Sequence, residues 1–255
     1  MSKLPKEKRF LDLSDYGRPA AVIIAKALQN TSFTPVHVTI GFIISGILAI
    51  LCMYHQYFIA TGFFLILKSI LDAADGELAR IKKKPSYTGR YLDSVSDIIL
   101  NFFILLTIWH ITQGELFYTL LAFTGLQLQG TLYNYYYVIL RNQNDGDTTS
   151  RIFEDKVPVA LKGEKQRNVN ILFAMYKFCY GTFDKIIYRL DRNAPESNNL
   201  PKWFMTAVST FGLGFQLLII SVMLALDLTH YIIPFFIGYS MFILIFIGIR
   251  RFINQ

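Results

Sequence analysis

At 255 residues with 53% hydrophobic and 15% aromatic side chains, the chain has the length of one ordinary domain, but its apolar residues run in stretches too long for a water-soluble core. The net charge of +7 is spread over several loops and not gathered on one recognition element, which argues against nucleic acid and for anionic lipid headgroups as the partner of those charges. Cys52 and Cys179, the two cysteines, support neither a disulfide framework nor a cysteine zinc site.

The first 20 residues are too polar for the apolar centre of a cleavable signal peptide. Residues 1–33 read as a basic arm followed by an amphipathic helix, Arg18 to Gln29, whose Ala, Val and Ile face suits the membrane interface. Thr34-Pro35 then reads as a helix start, with Thr34 as cap and Pro35 at the first helical position, where its missing N–H costs nothing. From there, residues 34–255 read as one six-helix transmembrane domain. Crossing about 30 Å of hydrocarbon takes roughly 20 mostly apolar residues, and such stretches lie near 35–54, 57–81, 88–112, 115–140, 203–227 and 230–249. The 25 Lys and Arg residues fall in the arm, at 80–90, in the 141–202 loop and at Arg250 and Arg251, with Lys68 the one exception. The turns around His55, Gln113 and Asp227 hold none, so both termini and both basic loops are expected on the cytoplasmic side. Within the 141–202 loop, Asn142 to Arg151 reads as irregular and Val169 to Leu190 as an interfacial helix.

The chemistry is expected where four aspartates interrupt two otherwise apolar helices, in LDAADGELARIKKKPSYTGRYLDSVSDIILN. A charge at mid-membrane costs about 3 kcal/mol on insertion scales, so four imply a purpose. At about 100° per residue, Asp72, Asp75, Gly76 and Ala79 share one stripe, and Gly89, Asp93 and Asp97 share another on the next helix. A turn at Lys84-Pro85 sets the stripes facing each other and brings four carboxylates to one cavity at the cytoplasmic end. Such a cluster needs positive charge, and oxygen-only ligands suit Mg²⁺ or Mn²⁺, a pair of which would clamp a diphosphate. Lys68, one turn before Asp72, is placed to pair with it, and the scattered His37, His55, His110 and His230 argue against a histidine metal site. Arg80 is open to diphosphate contact or to a salt bridge with an aspartate, and Arg141 and Arg151 to an acceptor phosphate.

These residues resemble the signature of the CDP-alcohol phosphotransferase family, D-x2-D-G-x2-A-R-x8-G-x3-D-x3-D, at Asp72, Asp75, Gly76, Ala79, Arg80, Gly89, Asp93 and Asp97. The family's Thr-Pro-Asn segment is similar to Thr34-Pro35-Val36, with Val36 in place of the Asn. The resemblance implies that Asp72, Asp75, Asp93 and Asp97 hold the metals, that Thr34, Gly76, Ala79, Arg80 and Gly89 line the CDP site, and that Asp97 is the general base on the acceptor hydroxyl. It implies transfer of a phosphatidyl group from a CDP-linked lipid donor such as CDP-diacylglycerol to an alcohol acceptor, with release of CMP, in phospholipid synthesis by a homodimer. A soluble CDP-alcohol acting on a lipid hydroxyl is the alternative donor. An intramembrane prenyltransferase would need two widely separated acid motifs, and a cation carrier would need oxygen ligands across the whole bilayer; neither pattern is present in the sequence.

Overall fold

The computed structural model describes residues 4–144, 154, 156–197 and 199–254, and every regular element among them is helical. The α-helices are α1 (Arg18–Leu28), α2 (Pro35–Tyr54), α3 (Phe58–Ile81), α4 (Tyr87–Thr112), α5 (Leu116–Gln143), α6 (Gln166–Leu190), α7 (Lys202–Val208), α8 (Leu213–Ala225), α9 (Ile232–Tyr239) and α10 (Phe242–Ile253). Of the stretch expected to be irregular, Asn142 and Gln143 instead continue α5, and residues 145–151, with Arg151, lie outside the described residues.

Local chemistry explains the ends. Pro35 occupies the first position of α2, and the Thr34 backbone N–H donates to His37 Nδ1 at 3.1 Å, closing the helix start back on itself. The turns around His55, Gln113 and Asp227 each close through a left-handed residue, Gln56 (φ 60°), Gln113 (φ 52°) and Asp227 (φ 58°). Such a conformation in a non-glycine residue costs roughly 1–2 kcal/mol, accepted here because the turns are tight.

Among the described residues three segments are long and apolar enough to cross a membrane: Pro35–Tyr54, Tyr87–Thr112 and Thr229–Ile253, the last containing α9 and α10. The pair α7 and α8, bent by 56°, makes a fourth if counted as one broken span. Helices α3 and α5 form as expected but are less apolar, because α3 carries Lys68, Asp72, Asp75 and Glu77 in its second half and α5 carries Gln127, Gln129, Asn134 and Arg141. This is the architecture of an all-helical integral membrane protein. Two large clusters make up most of its apolar core among the described residues. One, around Leu65, Ile104, Leu126, Leu217 and Phe236, joins α3, α4, α5, α8 and α9; the other, around Tyr136, Phe204, Phe211 and Phe246, joins α5, α7 and α10.

The bend between α7 and α8 has a definite cause. The N-terminal arm threads into the bundle there: Leu13 N–H donates to Ser209 Oγ at 2.9 Å, and Asp12 accepts from Tyr133 on α5. Gly212 and Gly214 leave the space this needs, since a Cβ on Gly214 would collide with the Ser14 carbonyl oxygen and one on Gly212 with the Ser14 side chain. The single straight helix expected over 203–227 is therefore interrupted to seat the arm. Gly214→Ala should displace the arm and cost about 1–3 kcal/mol, the usual penalty of overpacking, read as a lowered melting temperature in detergent. Farther along, α1 packs Ala21 and Ala25 against Ala74 and Leu78 of α3 and turns Ile23 outward.

Candidate active site

Helices α3 and α4 are joined by a short turn in which Lys83 has φ 51°, and α4 starts at Ser86, whose Oγ accepts from Gly89 N–H at 2.8 Å. The backbones of α3 and α4 stay apart. Helix α2 packs against both, α8 covers α3 and α6 covers α4. The gap between the two acid-bearing helices is where the carboxylates meet.

Three of the four aspartates come together. Ligand oxygens of Asp72, Asp75 and Asp93 all lie within 4.8 Å of one another. Asp75 accepts from Thr39 Oγ1 of α2 at 2.6 Å, while Asp93 Oδ1 is buried with no hydrogen-bond donor. At that separation and an effective dielectric of about 20, each pair of carboxylates repels by roughly 3 kcal/mol. None of the three forms an ion pair with a described lysine or arginine. Three oxygen donors, an orphaned carboxylate oxygen and no basic partner fit a hard divalent cation and fit nothing else in the structure as well.

Asp97 stands apart from this group. Its Oδ1 accepts from Lys68 Nζ at 2.5 Å, with the lysine wholly buried and Asp97 14% exposed. The i,i+4 pairing of Lys68 with Asp72 expected from the sequence therefore gives way to a bond across the gap. The reason is geometric: the ammonium sits over the Phe42 ring, 5.0 Å from its centroid, and from there reaches α4. One carboxylate is thus paired with a lysine, while the other three have no basic partner among the described residues.

Arg80, on α3, donates to Glu77 Oε2 at 2.8 Å, and Arg18 of α1 approaches the same oxygen at 3.4 Å. The salt bridge to an aspartate, one of the two possibilities read from the sequence, is not the contact made: the partner is Glu77, which is none of the four aspartates. Gly76 lies beneath the Arg80 guanidinium: a Cβ there would stand 3.6 Å from Nη1. Gly89 is buried at the start of α4, where a Cβ would lie 3.2 Å from Ser86 Oγ and 3.6 Å from Val36, so the Thr34–Val36 segment is brought alongside it. Thr34 is exposed at the α2 start and Ala79 is half-buried on the last turn of α3. Arg141 is buried beneath Tyr137, 5.0 Å from its ring centroid.

Several groups at the site escaped the sequence reading. Thr39 offered a weak signal, a hydroxyl in an otherwise apolar span. Glu77 offered a stronger one, a further acid two residues after Asp75. Glu154 and Glu164 offered none, because their partners are remote in sequence: Glu154 accepts from Arg90 and Tyr91, and Glu164 accepts from Ser86 Oγ at 2.7 Å and Thr88 N–H at 2.8 Å. These two carboxylates tie Glu154 and Glu164 to the start of α4. Burial pushes the Glu164 carboxyl up, but hydrogen bonds from Ser86, Thr88 and Leu161 outweigh it and hold it below the ordinary value of 4.5. A lowered folded pKa contributes stability that is present above 4.5 and lost as pH falls through the folded value. Glu164→Ala should therefore cost about 1 kcal/mol at neutral pH, as loss of a helix cap does, and speed amide exchange at Thr88 and Gly89, with the difference from the parent vanishing in acid.

Tyr180 of α6 donates to the Ser94 carbonyl at 2.9 Å, so α6 crosses α4 beside Asp93. The helix expected over Val169 to Leu190 is present and begins three residues earlier.

No curated protein matches the chain. A family model described as CDP-alcohol phosphatidyltransferase matches residues 33–162, about half of the sequence, and that span holds α2 to α5 with all four aspartates. The chain belongs to the CDP-alcohol phosphatidyltransferase family.

Proposed function

We propose that the protein transfers a phosphatidyl group from CDP-diacylglycerol to the hydroxyl of an alcohol, releasing CMP, as a step of phospholipid synthesis. The observation that carries this reading is the division of labour among the aspartates: three clustered oxygen ligands without a basic partner among the described residues, beside a fourth carboxylate held by Lys68. Asp72, Asp75 and Asp93 would hold Mg²⁺ or Mn²⁺, a pair of ions when the donor is bound, with Asp97 as a further ligand on its free oxygen. Metal so held would neutralise the charge of the diphosphate and of the departing CMP. Asp97 takes the proton of the acceptor hydroxyl; the hydroxyl oxygen forms a bond to the phosphorus bearing the diacylglycerol, and the bond from that phosphorus to the CMP oxygen breaks.

Gly76, Ala79 and Gly89 leave room for the cytidine diphosphate to approach the backbone, with Thr34 at the edge of that space. Arg80 turns from Glu77 to the diphosphate when the donor binds. In the membrane the protein has six spans, α3 and α5 included, with α1 in the interface, the termini and site facing the cytoplasm, and two copies forming a dimer. A bilayer on one side and cytoplasm on the other lets a lipid donor meet a soluble acceptor.

The deciding experiment measures CMP release by the purified protein in detergent with Mg²⁺ and CDP-diacylglycerol against a panel of polar alcohols and phosphorylated alcohols, with the lipid product identified by mass. CMP released only with one acceptor, and only with metal present, is the expected result. Release from soluble CDP-alcohols with diacylglycerol as acceptor would replace this reading by its converse. No release from either donor class would overturn both.

A further inference from the structure

Outside the acidic site an open cavity of about 560 Å³ lies where the end of α6 meets the end of α10. Four arginines line it: Arg189 and Arg192 at the end of α6, Arg250 and Arg251 in the last turn of α10. Asp191 and Glu196 are the carboxylates among its lining residues, so the guanidinium charges exceed the carboxylate charges by two. Tyr180 lies against α4 beside Asp93, and Asp191 follows it by eleven residues along the same helix. At 1.5 Å per residue the cavity is therefore roughly 16 Å from that point of the catalytic site.

A purely structural account covers half of the arginines. Asp191 is fully buried and accepts from Arg250, Arg251 and the Tyr136 hydroxyl, the last at 2.7 Å, and Arg251 also donates to the Leu190 carbonyl. Arg250 and Arg251 thus satisfy a buried carboxylate and a helix C-terminus, as basic side chains commonly do. Arg189 and Arg192 do neither. Both are exposed, both line the cavity, and neither has a hydrogen bond or ion pair among the described residues. Holding Arg250 and Arg251 rigidly on Asp191 costs them little further ordering when a ligand arrives, and the planar guanidinium fork suits phosphate oxygens two at a time.

We propose that this cavity is a second, non-catalytic binding site for a phosphate group, supplied either by the headgroup of an anionic phospholipid or by free phosphate. The site lies at the end of an apolar helix, α10, where a basic pocket between helices meets the headgroup layer. It rests on residues beyond the family segment and does not depend on which donor or acceptor the enzyme uses.

The test uses the full chain in detergent and the variant Arg189→Gln/Arg192→Gln, which leaves the clamp on Asp191 intact. Native mass spectrometry with phosphatidylglycerol and with phosphatidylcholine, and equilibrium dialysis with radiolabelled orthophosphate, give three binding curves for each protein. The parent is expected to bind phosphatidylglycerol about tenfold tighter than phosphatidylcholine, and the variant to lose that preference. Arg189→Lys/Arg192→Lys should keep part of it, since charge remains without the fork. Orthophosphate binding that the Gln variant abolishes, with no lipid preference, would support the site with free phosphate as its source. Equal binding of all three probes by parent and Gln variant would overturn the proposal, whatever the outcome for CMP release.

Discussion

Asp93→Asn is expected to lower CMP release by at least about 100-fold while raising the melting temperature of the metal-free protein. Both effects follow from one fact, that Asp93 is one of three carboxylates within 4.8 Å and has a buried oxygen without a donor. Loss of an outer-shell partner of a metal ligand already costs 10- to 100-fold, and a ligand itself should cost more. In the absence of metal the same substitution removes two of the three repulsive pairs at almost unchanged volume, so the variant gains stability where a substituted core residue would lose it. A net gain of about 1 kcal/mol moves the melting point of a chain of this size by roughly 2 °C. Mg²⁺ at a hundred times its dissociation constant stabilises the parent by about 2.7 kcal/mol, and this response should shrink or vanish in the variant. Melting curves in chelator and in Mg²⁺ check both parts. A variant that melts lower in chelator and responds normally to Mg²⁺ would remove Asp93 from the metal set.

The carboxylates were legible in the sequence because the membrane makes them expensive: no apolar helix carries Asp72, Asp75, Asp93 and Asp97 by accident. Runs of apolar residues located α3 and α4, and the Thr-Pro pair located the start of α2. Such signals failed for contacts set by space between helices. That α7 and α8 bend depends on Gly212 and Gly214 making room for Ser14, and nothing within 203–227 says what fills that room. Likewise Arg189 and Arg250 are about sixty positions apart and read separately as surface charge; only the meeting of two helix ends makes them one cavity. Glu154 and Glu164, half-buried in the long loop, are legible only once α4 is seen to need partners for Arg90 and Thr88.

Lys68 is the sharpest case, since the spacing pointed to Asp72 and the bond is made to Asp97 instead. An i,i+4 pair on a helix surface is worth only about 0.5 kcal/mol, a small preference that any better cross-helix geometry overrides. Within the bundle the stakes are larger: removing one member of a buried ion pair leaves the other charge without compensation and costs about 3–5 kcal/mol. Lys68→Met and Asp97→Asn should therefore each destabilise strongly, whereas the double variant, in which both charges are gone, should recover most of the loss. Expressed as a cycle, the coupling energy should reach about 2–3 kcal/mol, at the upper end of what contacting residues give. The corresponding cycle of Lys68→Met with Asp72→Asn should show clearly less. CMP release separates structure from chemistry in the same variants: the double variant folds but stays inactive, because stability needs only the charges to cancel while the reaction needs Asp97 itself to take the proton. Single-variant effects that add within about 0.5 kcal/mol would mean that the bond between Lys68 and Asp97 does not govern the site.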